Sequence, residues 1–143
     1  LAAHQAGRVS EAVAQYEVVI ESLGVDATPA VVLSNYGAAL LAGDEPDGAE
    51  AAWRAAIAND ASRADVRFNL AVSLAADDAR ASAARLAEAE AEALEALRLR
   101  PDYVKALHLL SNIRTTRGDA AGAAHFERRA AALSGGPADA ASS

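Results

Sequence analysis

Three histidines, His4, His108 and His125, are the residues of this 143-residue chain best suited to proton transfer or metal ligation, and they stand far apart. No two of them lie at a spacing that presents paired ligands to a metal. There is no Cys, so thiolate nucleophiles, thiolate metal sites and disulfides lack their atoms, and no Ser or Thr carries a local nucleophile signature. The glycines fall at turns and form no cluster that would cradle a phosphate. Dense carboxylates are confined to Glu88, Glu90, Glu92 and Glu95, of which Glu88, Glu92 and Glu95 share one helix face at i, i+4 and i+7. That pattern reads as a solvated acidic face. The chain is therefore expected not to be an enzyme, with no catalytic residue, no cofactor and no metal.

Composition narrows the partners. Thirteen basic residues against twenty acidic ones give a net charge of −7, which disfavours a nucleic-acid backbone or an anionic membrane surface and points to a basic or neutral protein. The longest uncharged run, 27–43, contains Pro29, Ser34, Asn35 and Gly37 and does not suit a membrane span. No secretory signal is visible, so the cytoplasm is the expected compartment. The chain contains no Met, even at position 1, which predicts a piece of a longer protein. Length sets one domain. Its apolar fraction of 52% is largely alanine and only 4% is aromatic, so the core must come from helices that approach closely rather than from bulky side chains.

Helical periodicity runs through the alanine-rich stretches, punctuated by Gly7, Gly43, Pro101 and Gly118. The pattern also repeats. The segment Asn35-Tyr36-Gly37-Ala38-Ala39-Leu40 aligns with Asn69-Leu70-Ala71-Val72-Ser73-Leu74 at an interval of 34, and a third copy, Leu109-Leu110-Ser111-Asn112-Ile113, follows at 34 plus an insertion of six. Partner segments carry Ala12, Tyr16 and Val19, then Ala49, Trp53 and Ala56, then Ala89, Ala93 and Ala96, then Ala123, Phe126 and Ala130. Each unit reads as a helical hairpin in which small residues set the spacing and Tyr16, Trp53 and Phe126 fill the gaps.

A 34-residue helical hairpin with these small and aromatic positions, and with the junction Ala96-Leu97-Arg98-Leu99-Arg100-Pro101-Asp102-Tyr103, resembles the tetratricopeptide repeat over roughly residues 1–133. The resemblance implies an all-α, right-handed superhelix (solenoid) of stacked antiparallel helix pairs. Its expected units are 1–29 (partial), 30–63, 64–103 with the insertion, and 104–134, followed by a disordered tail at 135–143. Helices are expected near 9–23, 30–42, 47–60, 64–77, 79–99, 103–117 and 119–134, with a remnant at 1–6. The six inserted residues should lengthen the second helix of the third hairpin into an exposed acidic handle, and Asp44 or Asp78 can cap helices. Ala61 replaces the usual junction proline, and Arg114 an apolar residue.

Applying the repeat intervals makes Val31, Asp65 and Lys105 equivalent, as are Ser34, Phe68 and His108; Asn35, Asn69 and Leu109; and Ala38, Val72 and Asn112. In the family this face lines a concave groove. The implied peptide-binding residues are Asn35, Asn69, Phe68, Lys105, His108 and Asn112, the Asn amides matching a peptide's N–H and C=O groups. The family's dicarboxylate clamp for chaperone tails is incomplete, because Leu109 stands where an Arg is needed, so chaperone-tail binding is not expected. The expected function is an interaction scaffold for a peptide or partner protein. The alternative is an accessory array of a larger enzyme, such as a transferase, that positions substrate or mediates dimerisation. The first hairpin starts partway through its first helix, which predicts the C-terminal portion of a longer array and self-association through the truncated front.

Overall fold

Alanine and straight-chain residues favour helix almost everywhere in this sequence, so the few capping and turning residues decide where each helix stops. The computed structural model describes the backbone of residues 3–142 and the side chains of residues 4–135. The described residues form α1 (Ala3–Leu23), α2 (Ala30–Ala42), α3 (Pro46–Asn59), α4 (Ala64–Leu74), α5 (Ala83–Leu99), α6 (Val104–Thr116) and α7 (Ala120–Ser142), with a 3-10 turn at Val25–Ala27. No strand occurs among them. The chain divides into two compact units, Leu1–Val66 and Arg67–Ser143.

In the first unit α2 and α3 form a hairpin and α1 packs on α2. Leu33, Leu40, Ala49, Trp53 and Ala56 are buried between them, the large-against-small packing that the sequence predicts. Pro46 occupies the first turn of α3, where its missing N–H has no intrahelical partner to lose. Asp44 does not cap that helix. It takes a φ of 62° in the connecting turn, a left-handed conformation that Asp tolerates, and no side chain caps the start of α3. The connection from α1 to α2 is held from the far end of α3, where Asn59 Nδ2 donates to the carbonyl oxygens of Val25 at 2.9 Å and Thr28 at 2.8 Å. Thr28, itself buried, donates its hydroxyl to the Gly24 carbonyl at 2.7 Å.

Gly7 does not separate a remnant at 1–6 from a helix at 9–23, because α1 runs continuously through it. A helical Gly costs only about 1 kcal/mol relative to Ala, and its neighbours are helix formers. The face of α1 bearing Val18, Val19 and Leu23 is exposed.

In the second unit α6 and α7 form a hairpin and α5 packs on α6. Ala71, Ala93, Leu97, Leu107, Leu110, Phe126 and Ala130 make its core. The inserted residues do not extend α5: residues 75–82 are an ordered non-helical segment, and the helix begins at Ala83. Local polar groups outcompete the helix there. Asp78 accepts from the Arg80 backbone N–H at 2.9 Å and from its guanidinium at 2.8 Å, and Ser82 caps α5 by accepting from Arg85 N–H at 3.1 Å.

Nor is the glutamate-rich helix a bare acidic face. Glu92 pairs with Arg67 of α4 at 2.8 Å with both side chains largely covered, and Glu95 pairs with Arg98. Glu90 Oε1 lies 3.1 Å from Arg114 Nε and 3.2 Å from an Arg117 guanidinium nitrogen, ion-pair distances without hydrogen-bond alignment. Arg114 also donates to Asp119 at 2.9 Å and lies 5.8 Å from the Phe126 ring centroid, which is how a charged residue occupies an apolar repeat position. Helix α7 is assigned through Gly135, Gly136 and Pro137 to Ser142, past the expected end at 134. The expected disorder over 135–143 otherwise falls on side chains, and on residue 143, that lie outside the described residues.

Candidate functional site

The six residues singled out from the repeat pattern separate between the units. Asn35, on α2, belongs to the first; Phe68 and Asn69, on α4, and Lys105, His108 and Asn112, on α6, belong to the second. Asn35, Lys105, His108 and Asn112 are exposed, and Phe68 and Asn69 are half-buried. Each helix hides its other face: Leu33 and Gly37 on α2, Leu70 and Ala71 on α4, and Leu107 and Leu110 on α6 are buried. The repeat periodicity therefore separates buried from accessible positions in all three helices.

Within the second unit these side chains are not all alike. Phe68 stacks on Tyr103 with ring centroids 5.1 Å apart, and the Arg100 guanidinium lies 4.2 Å from the Tyr103 centroid, which fixes an aromatic surface beside Asn69. The His108 ring is engaged by α7, its Nδ1 lying 2.9 Å from Glu127 Oε2. Asn112 and Val72, equivalent in the repeat, meet in one cleft of about 160 Å³ that Leu109 and Thr116 also line. A larger cleft of about 420 Å³ is walled by the inserted segment through Asp77, Ala81 and Ser82. The insertion thus builds a concavity where a longer helix was expected.

The repeat pattern gave no warning of a groove of about 650 Å³ in the first unit, between α1, α2 and α3. Tyr36 stands in it and donates its hydroxyl to Glu17 Oε2 at 3.0 Å. Its ring is tilted against Tyr16 at 6.3 Å. Burial, and then the neighbouring Glu17 carboxylate, push the Tyr36 phenol above its ordinary value of 10.0. The signal that could have revealed the groove is the run Asp44-Glu45-Pro46-Asp47, three carboxylates around one helix start. No described helix is long and apolar enough to cross a membrane.

No family model matches the sequence, and no curated protein does. Solved structures do. A crystal structure of MamA protein superposes with a TM-score of 0.77 at 18% identity, over 92% of this chain and 67% of that one. MamA 41-end from Desulfovibrio magneticus RS-1 gives a TM-score of 0.75 at 19% identity, over 89% of this chain and 67% of its own. The second TPR of Spaghetti (RPAP3), bound to the HSP90 peptide SRMEEVD, gives 0.66 at 21% identity, over 80% of this chain and 99% of that one. This chain spans about two-thirds of the length of those MamA chains. The likeness shows the fold: an all-α arrangement of antiparallel helix pairs of the tetratricopeptide type, as the sequence resemblance implies.

Proposed function

We propose that this chain, tetratricopeptide-type by fold, is a protein-interaction scaffold in which α2, α4 and α6, the first helices of the hairpins, receive an extended peptide or a segment of a partner protein. The observation that carries this reading is that the equivalent repeat positions Asn35 on α2 and Asn69 on α4 are exposed and half-buried, and Asn112, one turn further along α6 than their counterpart Leu109, is exposed, while the opposite face of each helix is buried. Asn side chains can pair with a peptide backbone whatever its side chains are, and the Phe68–Tyr103 stack offers an apolar contact beside them. Lys105 adds a cation on the same face of α6. The acidic HSP90 peptide belongs to the Spaghetti complex; in this chain Leu109 stands at the position where a chaperone-tail clamp would need an Arg. The proposed scaffold acts in the cytoplasm by binding alone and performs no chemistry.

A random peptide library panned on the full chain supplies ligands, and Asn35→Ala with Asn69→Ala tests them. The double variant should weaken the selected peptides about tenfold or more, in line with the loss of two paired hydrogen bonds, with an unchanged melting temperature. Unchanged affinity would overturn the assignment of these helices as the binding face.

A further inference from the structure

The ionic charge of this protein is distributed unequally between its two units. Residues 1–66 contain ten acidic and three basic side chains, whereas residues 67–143 contain ten of each. The whole net charge of −7 therefore lies in the first unit. That unit also holds the groove of about 650 Å³, within the range of about 300–1,000 Å³ typical of ligand sites.

The groove has two kinds of surface. Its accessible apolar surface is made by Ile20 of α1, the exposed Val25 of the 3-10 turn and the Tyr36 ring of α2, over the buried Leu33 and Leu40. Four carboxylates border it: Glu17 from α1, Asp44 and Glu45 from the connecting turn, and Asp47 from the first turn of α3. All four are exposed at the surface, and no Lys or Arg lines the groove. The Tyr36 hydroxyl fixes one oxygen of Glu17 at 3.0 Å, so this carboxylate is held at the border. An apolar floor beneath an acidic border fits a side-chain set with apolar stems and cationic heads, because Lys and Arg bury their methylenes and keep the charge at the surface. Charge of one sign around a concave surface also draws in the opposite charge and orients it on approach.

We propose that the groove between α1, α2 and α3 docks a basic amphipathic segment of a partner protein, its apolar residues on Ile20 and Val25 and its Lys or Arg residues against Glu17, Asp44, Glu45 and Asp47. This rests on the reading of the chain as an interaction scaffold but uses a surface that does not include Asn35 or Asn69. The charge complementarity selects the opposite kind of peptide from the acidic one held by the Spaghetti neighbour.

The test titrates the full chain with a labelled peptide alternating Leu with Lys and Arg, its acidic counterpart with Glu in place of the cations, and a same-charge peptide with Leu replaced by Ser. The basic amphipathic peptide should bind, weaken steeply as salt rises from about 0.05 M to about 0.5 M, and lose about tenfold or more in the D44N/E45Q/D47N variant. The Asn35→Ala, Asn69→Ala variant should bind it as the wild type does, so failure at this groove and failure of the α2, α4 and α6 reading are told apart. Circular dichroism and melting confirm that the carboxylate variant is folded, and E17Q, which touches only one border group, provides a milder second variant. Equal binding of the Leu and Ser peptides would mean unspecific charge attraction and overturn the proposal. So would equal binding of the acidic peptide, full affinity in the folded carboxylate variant, or displacement of the peptide by spermine at matched concentration, which would assign the groove to a small polycation.

Discussion

Gly37 and Trp53 share one space: a Cβ on Gly37 would lie 2.5 Å from Trp53 Nε1 and 2.8 Å from its Cδ1. The indole cannot swing aside, because it is 2% exposed and its N–H donates to the Ser34 carbonyl at 3.2 Å. Gly37→Ala gains about 1 kcal/mol of helix propensity and loses about 1–3 kcal/mol by displacing a packed ring. Packing should win. The variant is expected to unfold at lower urea concentration with altered Trp53 fluorescence, and an equal or higher midpoint would show that the indole has room to move. Trp53→Ala should cost about 3–5 kcal/mol.

Asn59 ties the end of α3 to the turn before α2 through two carbonyls. Asn59→Ala should lower stability by about 1 kcal/mol or somewhat more, the usual net value of such bonds. Asn59→Asp keeps the shape but offers an acceptor where donors are required, so it should be no better than Ala. Urea melts of the two variants check the order.

Ser82 starts α5 by accepting from Arg85 N–H at 3.1 Å. Ser82→Ala is expected to cost about 1 kcal/mol, whereas Ser82→Asp, another good cap, should retain most of the stability. Amide exchange should be faster over 75–82 than in α5 beyond its first turn. Protection across 75–82 equal to that of α5 would mean that the insertion is helical after all.

The carboxyl of Asp119 is held below its ordinary value of 3.8, chiefly by the Gly122 backbone N–H and then by Arg114. A carboxyl lowered in the folded state contributes stability above its unfolded pKa and loses it as pH falls through the ordinary range toward the folded value. Asp119→Asn should therefore be less stable than the wild type at neutral pH, and the gap should narrow in acid. Urea midpoints at neutral and acid pH give the comparison.

Tyr36 shifts in the opposite direction, its phenol raised by burial and by Glu17. A raised folded value means that its contribution is complete below the unfolded pKa and is lost as pH rises through the folded one. The Tyr36 ring signals should titrate above the ordinary tyrosine range, and Glu17→Gln should bring them back toward it. A titration unchanged from the wild type in that variant would leave burial and the Glu45 carboxylate as the causes.

The hairpins and their buried faces were legible in the sequence because they rest on local periodicity. The 34-residue interval between Asn35 and Asn69 put Gly37 and Ala71 on packed faces, and Ala49, Ala56, Ala93 and Ala96 opposite them; all of these are buried. A small residue at helical spacing carries that information within a few turns of chain. The fate of a charge does not. Whether Glu92 is solvated depends on Arg67, 25 positions earlier, and Glu90 finds its cations on Arg114 of the next helix and on Arg117 just past its end. The inserted segment looked helical by propensity, but the Asp78 turn and the Ser82 cap competed successfully, a contest of similar small energies that residue preference alone does not resolve. The groove around Tyr36 likewise exists only because α1, the α2–α3 turn and α3 bring Glu17, Asp44, Glu45 and Asp47 to one surface. Sequence spacing determined which residues face inward on each helix; tertiary packing decided which charges meet, because an ion pair forms across helices whose register no single helix encodes.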